Sequence, residues 1–141
     1  MTTVRKYWLC ALPMMLLVTA SLAFAIAPAR AEQTFHSVRY TLTAARPIHA
    51  DIYYLDQEPP TFADWSHNPY QFVPNIQADV GPSQTWVYEL VLADPNQWAF
   101  FTSSTGSEAG TAMFRCELAV DGVVVVSKEG PKGVICSIRP W

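Results

Sequence analysis

The stretch Phe114-Arg115-Cys116-Glu117-Leu118-Ala119-Val120-Asp121-Gly122-Val123-Val124-Val125-Val126 decides the fold class. Phe114, Cys116, Leu118 and Val120 alternate with Arg115, Glu117 and Ala119, so one face of an extended segment is apolar. Asp121-Gly122 then reverses the chain. A type I′ turn needs positive φ at both central residues, and Asp-Gly meets that need at little steric cost. The four valines that follow return as a partner strand. They lack polar alternation, which predicts cover on both faces, because a bare apolar edge would invite aggregation.

The same signals recur on either side. Phe35–Ala44 carries Val38, Tyr40 and Leu42 on one face, and Arg46-Pro47 ends it. Ile48–Leu55 sets Ile48, Ala50, Ile52 and Tyr54 against His49, Asp51 and Tyr53. Trp86–Ala93 is a third strand, followed by a turn at Asp94-Pro95-Asn96-Gln97. Trp98–Ser104, Ala112–Val120, Val123–Lys128 and Val134–Ile138 complete the set. No segment after Ala31 has a helical period. About seven strands in roughly 110 residues predict an all-β domain, an antiparallel two-sheet β-sandwich of immunoglobulin-like size.

One segment breaks the rhythm. Residues 56–85 hold five prolines (Pro59, Pro60, Pro69, Pro74, Pro82) together with Phe62, Trp65, Tyr70 and Phe72. The segment reads as a long Pro/aromatic-rich loop packed over the sandwich, with a short edge strand near Tyr70–Val73. Packing is expected of Phe62 and Phe72. Trp65 and Tyr70 are the candidate binding surface, because stiffened loops present aromatics to ligands or partners.

The N-terminus has a different character. Arg5 and Lys6 precede an uncharged run from Tyr7 to Ala27, and Ala29-Arg30-Ala31 follows. A basic n-region, an apolar stretch and Ala-x-Ala read as a signal peptide over residues 1–31, cleaved before Glu32. The alternative is an uncleaved membrane anchor through residues 7–27. Either way residues 32–141 are exported, to the cell envelope or beyond. Three of the nine basic residues (Arg5, Lys6, Arg30) precede Glu32, whereas all 12 acidic ones lie at or after it. The exported part therefore carries six basic and 12 acidic groups, a net −6. That excludes a nucleic-acid binder, which needs clustered cations for phosphates, and electrostatic adhesion to anionic lipid head groups.

Cys10 leaves with the signal, so Cys116 and Cys136 remain. An even pair in an exported domain predicts one disulfide. Two cysteines without a neighbouring histidine make an incomplete zinc site. The bridge spans either the core or two neighbouring strands. His49 and Asp51 share a strand face, and Asp64 and His67 are close in the loop, but neither pair completes a catalytic or metal set. There is no Gly-x-Ser-x-Gly, Cys-x-x-Cys, His-Glu-x-x-His or phosphate loop. The expectation is a non-enzyme with no catalytic residues, no metal and no cofactor.

Phe114–Gly122 followed by Gly133-Val134-Ile135-Cys136 resembles the mycobacterial membrane protein small (MmpS) family, with its Cys-x-Ile/Leu-x-Val-Asp-Gly hairpin and a second cysteine in the closing strand. Val38-Arg39-Tyr40-Thr41-Leu42-Thr43 and Ala50-Asp51-Ile52-Tyr53-Tyr54 resemble that family's opening. The resemblance spans most of Val38–Cys136. It implies a periplasm-facing sandwich that assists an RND-type membrane transporter in exporting lipids or siderophores. The alternatives are a secreted carrier of lipid or another apolar ligand under the 56–85 loop, and a small secreted hydrolase or metal enzyme built on His49, Asp51 or His67.

Overall fold

The computed structural model describes residues 32–140. The signal or anchor segment at 1–31 lies outside the described residues. Eight strands form two four-stranded antiparallel sheets, a β-sandwich. The strands are β1 (His36–Ala44), β2 (Ile48–Tyr54), β3 (Asn75–Val80), β4 (Trp86–Leu92), β5 (Phe100–Ser104), β6 (Phe114–Val120), β7 (Val123–Gly130) and β8 (Gly133–Ser137). One sheet runs β4-β1-β6-β7 and the other β3-β2-β5-β8.

Strand periodicity places the core. Val38, Tyr40, Leu42 and Ala44 of β1 point inward and are buried. Opposite them lie Ile48, Ala50 and Ile52 of β2 and Phe101 of β5. Phe114, Cys116 and Leu118 of β6 complete the interior with Cys136 of β8. Burying a large apolar side chain stabilises by about 1.5–3 kcal/mol, so this row of fully enclosed residues dominates the fold's stability.

The decisive hairpin forms as its sequence predicts. Asp121 has φ 50° and Gly122 φ 81°. Asp121 also ties the turn to β1. Its carboxylate accepts the Ser37 N–H at 2.9 Å and meets His36 Nδ1 at 2.7 Å, and its own N–H donates to the Ser37 carbonyl at 2.8 Å.

The sandwich of about seven strands is borne out, with eight among the described residues, and three details are corrected. First, the edge strand in the long segment is displaced. It is β3, inside the segment read as loop, and the edge strand expected at Tyr70–Val73 is instead Asn75–Val80. Its six residues alternate Ile76, Ala78 and Val80 with Asn75, Gln77 and Asp79, and pair with β2 from Ile48↔Val80 to Tyr53↔Asn75. Prolines at 74 and 82 flank it, as an edge strand tolerates. Second, the valine run is not covered. Val123, Val124 and Val125 are 64%, 52% and 49% exposed, because β7 is an edge strand. The β6–β7 register shifts between Leu118 and Ala119, leaving Val125 as the extra residue of a bulge. A bulge disrupts the free ladder of an edge, which protects it from pairing with another chain. Third, Asp94–Gln97 opens a helical turn, α2 (Pro95–Trp98), with the Asp94 side chain accepting the Gln97 N–H.

The two sheets are joined on the β7/β8 side. The bridge Cys116–Cys136 runs from β6 in one sheet to β8 in the other, with Cα atoms 6.0 Å apart. Of the two arrangements open from the sequence, the core-crossing one is realised. Gly130-Pro131-Lys132-Gly133 makes the passage between sheets. A Cβ at Gly130 would collide with the Gly133 carbonyl, so only glycine fits there.

Candidate functional site

The long segment folds into a built cap before it reaches β3. Thr61 opens α1 (Phe62–His67): its hydroxyl accepts the Asp64 N–H at 3.2 Å and donates to the Asp64 carboxylate at 2.6 Å. This is a local capping arrangement, which satisfies an otherwise orphaned amide. Pro69–Gln71 follow as a 3-10 turn, with the Phe72 and Val73 N–H groups both donating to the Pro69 carbonyl. The Asp56 N–H donates to the Phe72 carbonyl at 3.1 Å and closes the base of the segment. The Glu58 carboxylate accepts the Ala93 N–H at 2.6 Å and so fastens the cap to the end of β4.

The aromatics divide differently from expectation. Phe72 is buried as predicted, and Val73 with it. Trp65 is half-buried, its ring 5.9 Å from Trp98 and edge-on to Phe100 at 5.7 Å. It anchors the cap to the sandwich. Phe62, expected to pack, is 54% exposed beside the Arg139 guanidinium, which lies 5.9 Å from its ring centroid. Phe62 opens α1 at its first residue and meets Arg139, while Trp65, one turn on, takes the place against Trp98 and Phe100. Tyr70 is 76% exposed, the most exposed large aromatic among the described residues.

Beside α1 the cap leaves a depression of about 430 Å³, lined by Gln57, Pro60, Ala63, Asp64, His67, Gln71 and Phe72. Asp64 and His67, one helical turn apart, both face it. Phe72 supplies the buried apolar floor. Gln57, Pro60 and Gln71 carried no sequence signal of their own, since only the folded cap brings them together.

The remaining candidates lie apart. His49 and Asp51 do share the outer face of the β3-β2-β5-β8 sheet, but each has its own partner. His49 Nδ1 is 2.7 Å from Asp79 on β3, and Asp51 accepts the Asn75 side-chain amide at 2.7 Å. The Asp79 hydrogen bond raises the His49 pKa from its ordinary value. His36 is at the β6–β7 turn with Asp121, and that hydrogen bond holds the Asp121 carboxyl below its usual range. Among the described residues no group of three or more His, Cys, Asp or Glu is placed to hold a metal ion.

A second aromatic cluster lines the open seam between edge strands β3 and β4. Tyr54, Trp86 and Tyr88 meet with ring centroids 4.5–6.2 Å apart, and Tyr88 reaches Tyr40 in the core at 6.3 Å. Desolvation raises the pKa values of Tyr54, Tyr88 and the adjacent Asp56, and the Asp56 charge adds to the effect on both tyrosines. These rings fill the seam by packing on one another.

A small two-sheet sandwich with a core-crossing disulfide and a capped end defines the class. Residues 40–136 match the family described as the Rv2576c beta-sandwich domain, and the chain belongs to it. It is 39% identical over 113 residues to "Uncharacterized protein Rv2576c" of Mycobacterium tuberculosis (strain ATCC 25618 / H37Rv), covering 80% of this chain and 73% of that one. "Uncharacterized protein Mb2606c" of Mycobacterium bovis matches to the same extent. This corrects the resemblance to the MmpS family. Alternating strands around a Cys…Asp-Gly…Cys hairpin are compatible with either family, so they did not distinguish the two. The expected RND-type transporter partner rested on that resemblance and loses its support with it.

Proposed function

We propose that residues 32–141 work as an exported, non-catalytic binding module, with the cap at residues 57–72 as its ligand face. The observation that carries the reading is the contrast within the cap. Trp65, Phe72 and Val73 lock it to the sandwich, while Tyr70 and the depression beside α1 stay open to solvent. A fixed frame that leaves an aromatic ring and a hollow of mixed polar and apolar lining exposed suits recognition, because little ordering entropy is lost on binding. The three histidines sit on the hairpin turn, the outer sheet face and α1, so they support no joint acid–base role.

Export is supported by the Arg5/Lys6, Tyr7–Ala27 and Ala29-x-Ala31 pattern and by the paired cysteines. The alternative of an apolar carrier is less well supported. The core is filled by Tyr40, Phe101 and Phe114, and the hollow beside α1 sets Gln57, Asp64, His67 and Gln71 among its apolar residues. A fragment screen read residue by residue by NMR tests the proposal. Binding should cluster on residues 57–72, and hits confined to other surfaces would contradict it.

A further inference from the structure

The cap depression has a chemistry that narrows its ligand. Gln57 and Gln71 each offer a carboxamide, which donates and accepts. Asp64 accepts, and the His67 ring adds nitrogen donor or acceptor positions. Pro60, Ala63 and the buried Phe72 give an apolar patch between these groups.

Three ligand classes fit poorly. No lysine or arginine lines the hollow, and the exported part carries a net −6, so a phosphate or carboxylate would meet no permanent cation and an unfavourable field. Asp64 is the only carboxylate in the lining, too few oxygens for a divalent cation. A wholly apolar molecule would strip water from two carboxamides, a carboxylate and an imidazole and return no hydrogen bonds. A neutral molecule with many hydroxyls and an apolar C–H face satisfies all of these groups together. The volume, about 430 Å³, falls in the usual range of small-molecule sites, roughly 300–1,000 Å³.

We infer that the depression formed by Gln57, Asp64, His67, Gln71 and Phe72 is a saccharide site. This rests on the binding-module reading and deepens it. Hydroxyls bridge the carboxamides and the Asp64 carboxylate, while the sugar's C–H face lies on the apolar patch. Shallow sites of this kind bind weakly, because few groups are fully desolvated.

The test is an NMR titration of residues 32–141 with three probes: a neutral gluco-oligosaccharide and manno-oligosaccharide panel, inorganic phosphate, and a medium-chain fatty acid. The inference expects saturable shifts at Gln57, Asp64, His67 and Gln71 with at least one oligosaccharide. Gln57→Ala and Gln71→Ala, both at exposed positions, should each weaken that binding at least fivefold with the rest of the spectrum unchanged. Shifts at these residues with the fatty acid or phosphate but with no sugar would overturn the saccharide assignment and leave the site standing. No shifts there with any probe would overturn both.

Discussion

Cys116 and Cys136 are 20 residues apart in sequence and lie in opposite sheets, both fully buried. The bond therefore closes the sandwich through its core on the β6/β8 side. A loop of this length contributes about 3 kcal/mol by loop-closure entropy. Replacing both cysteines by alanine should lower the unfolding free energy by about that amount or more, since the alanines also leave a small void. Denaturant unfolding of the two forms measures it. Thiol labelling of the unreduced, unfolded mature protein should find no free cysteine.

The Gly130 position makes a sharper demand on the passage between sheets. Gly130→Ala places a methyl against the Gly133 carbonyl, and the turn must shift to admit it. The expected loss is about 1–3 kcal/mol. Gly122→Asn at the hairpin tip has open space around it and a turn that asparagine tolerates, so its cost should be much smaller. Equal effects in thermal melts would contradict this account of the two turns.

The Asp121 carboxyl is held down first by the His36 hydrogen bond and then by the Ser37 amide. A group with a depressed folded pKa contributes stability that is present above its unfolded value and is lost as pH falls through the folded one. Asp121→Asn, which tolerates the positive φ but removes the charge, should therefore destabilise the native form at neutral pH, and the gap to wild type should narrow as the pH falls below the ordinary carboxylate range. Melting curves across acid pH check it.

His49 has the opposite sign. Its pKa is raised by Asp79, so the contribution of the pair is full below the ordinary histidine value and fades as pH rises through the higher folded one. Asp79→Asn should return the His49 titration, followed by its ring proton shift, toward the ordinary value. Both groups are well exposed, so the change in stability should be small.

Much of this fold was readable along the chain. Seven of the eight strands among the described residues were readable, most by alternation and β7 as the return of its hairpin, and Asp121-Gly122 specified its turn because few other dipeptides accept two positive φ values. β3 was hidden for a physical reason. Its inward residues are only Ile76, Ala78 and Val80, in a segment dense in proline. Val123–Val125 misled because apolar composition reports burial only on average, and a bulged edge tolerates exposure. At the cap, the exposure of Tyr70 and the burial of Phe72 agree with the sequence reading, but the places of Phe62 and Trp65 depended on which ring reached Trp98 and Phe100. Gln57 and Gln71 could not be singled out, since two glutamines 14 positions apart carry no signal until α1 folds between them.

The export reading is checked by N-terminal sequencing of the protein recovered outside the cytoplasm. A start at Glu32 is expected. Retention of residues 7–27 in the membrane fraction would instead make the sandwich a tethered domain.

The claim that the cap is the ligand face is tested most directly by residue-resolved amide shifts during a chemically diverse fragment screen. The account predicts that binders perturb Gln57, Asp64, His67, Tyr70 and Gln71 and leave the amides of β1, β6 and β7 unmoved. Perturbations clustered on the Tyr54/Trp86/Tyr88 seam or the valine edge, with the cap silent, would contradict it.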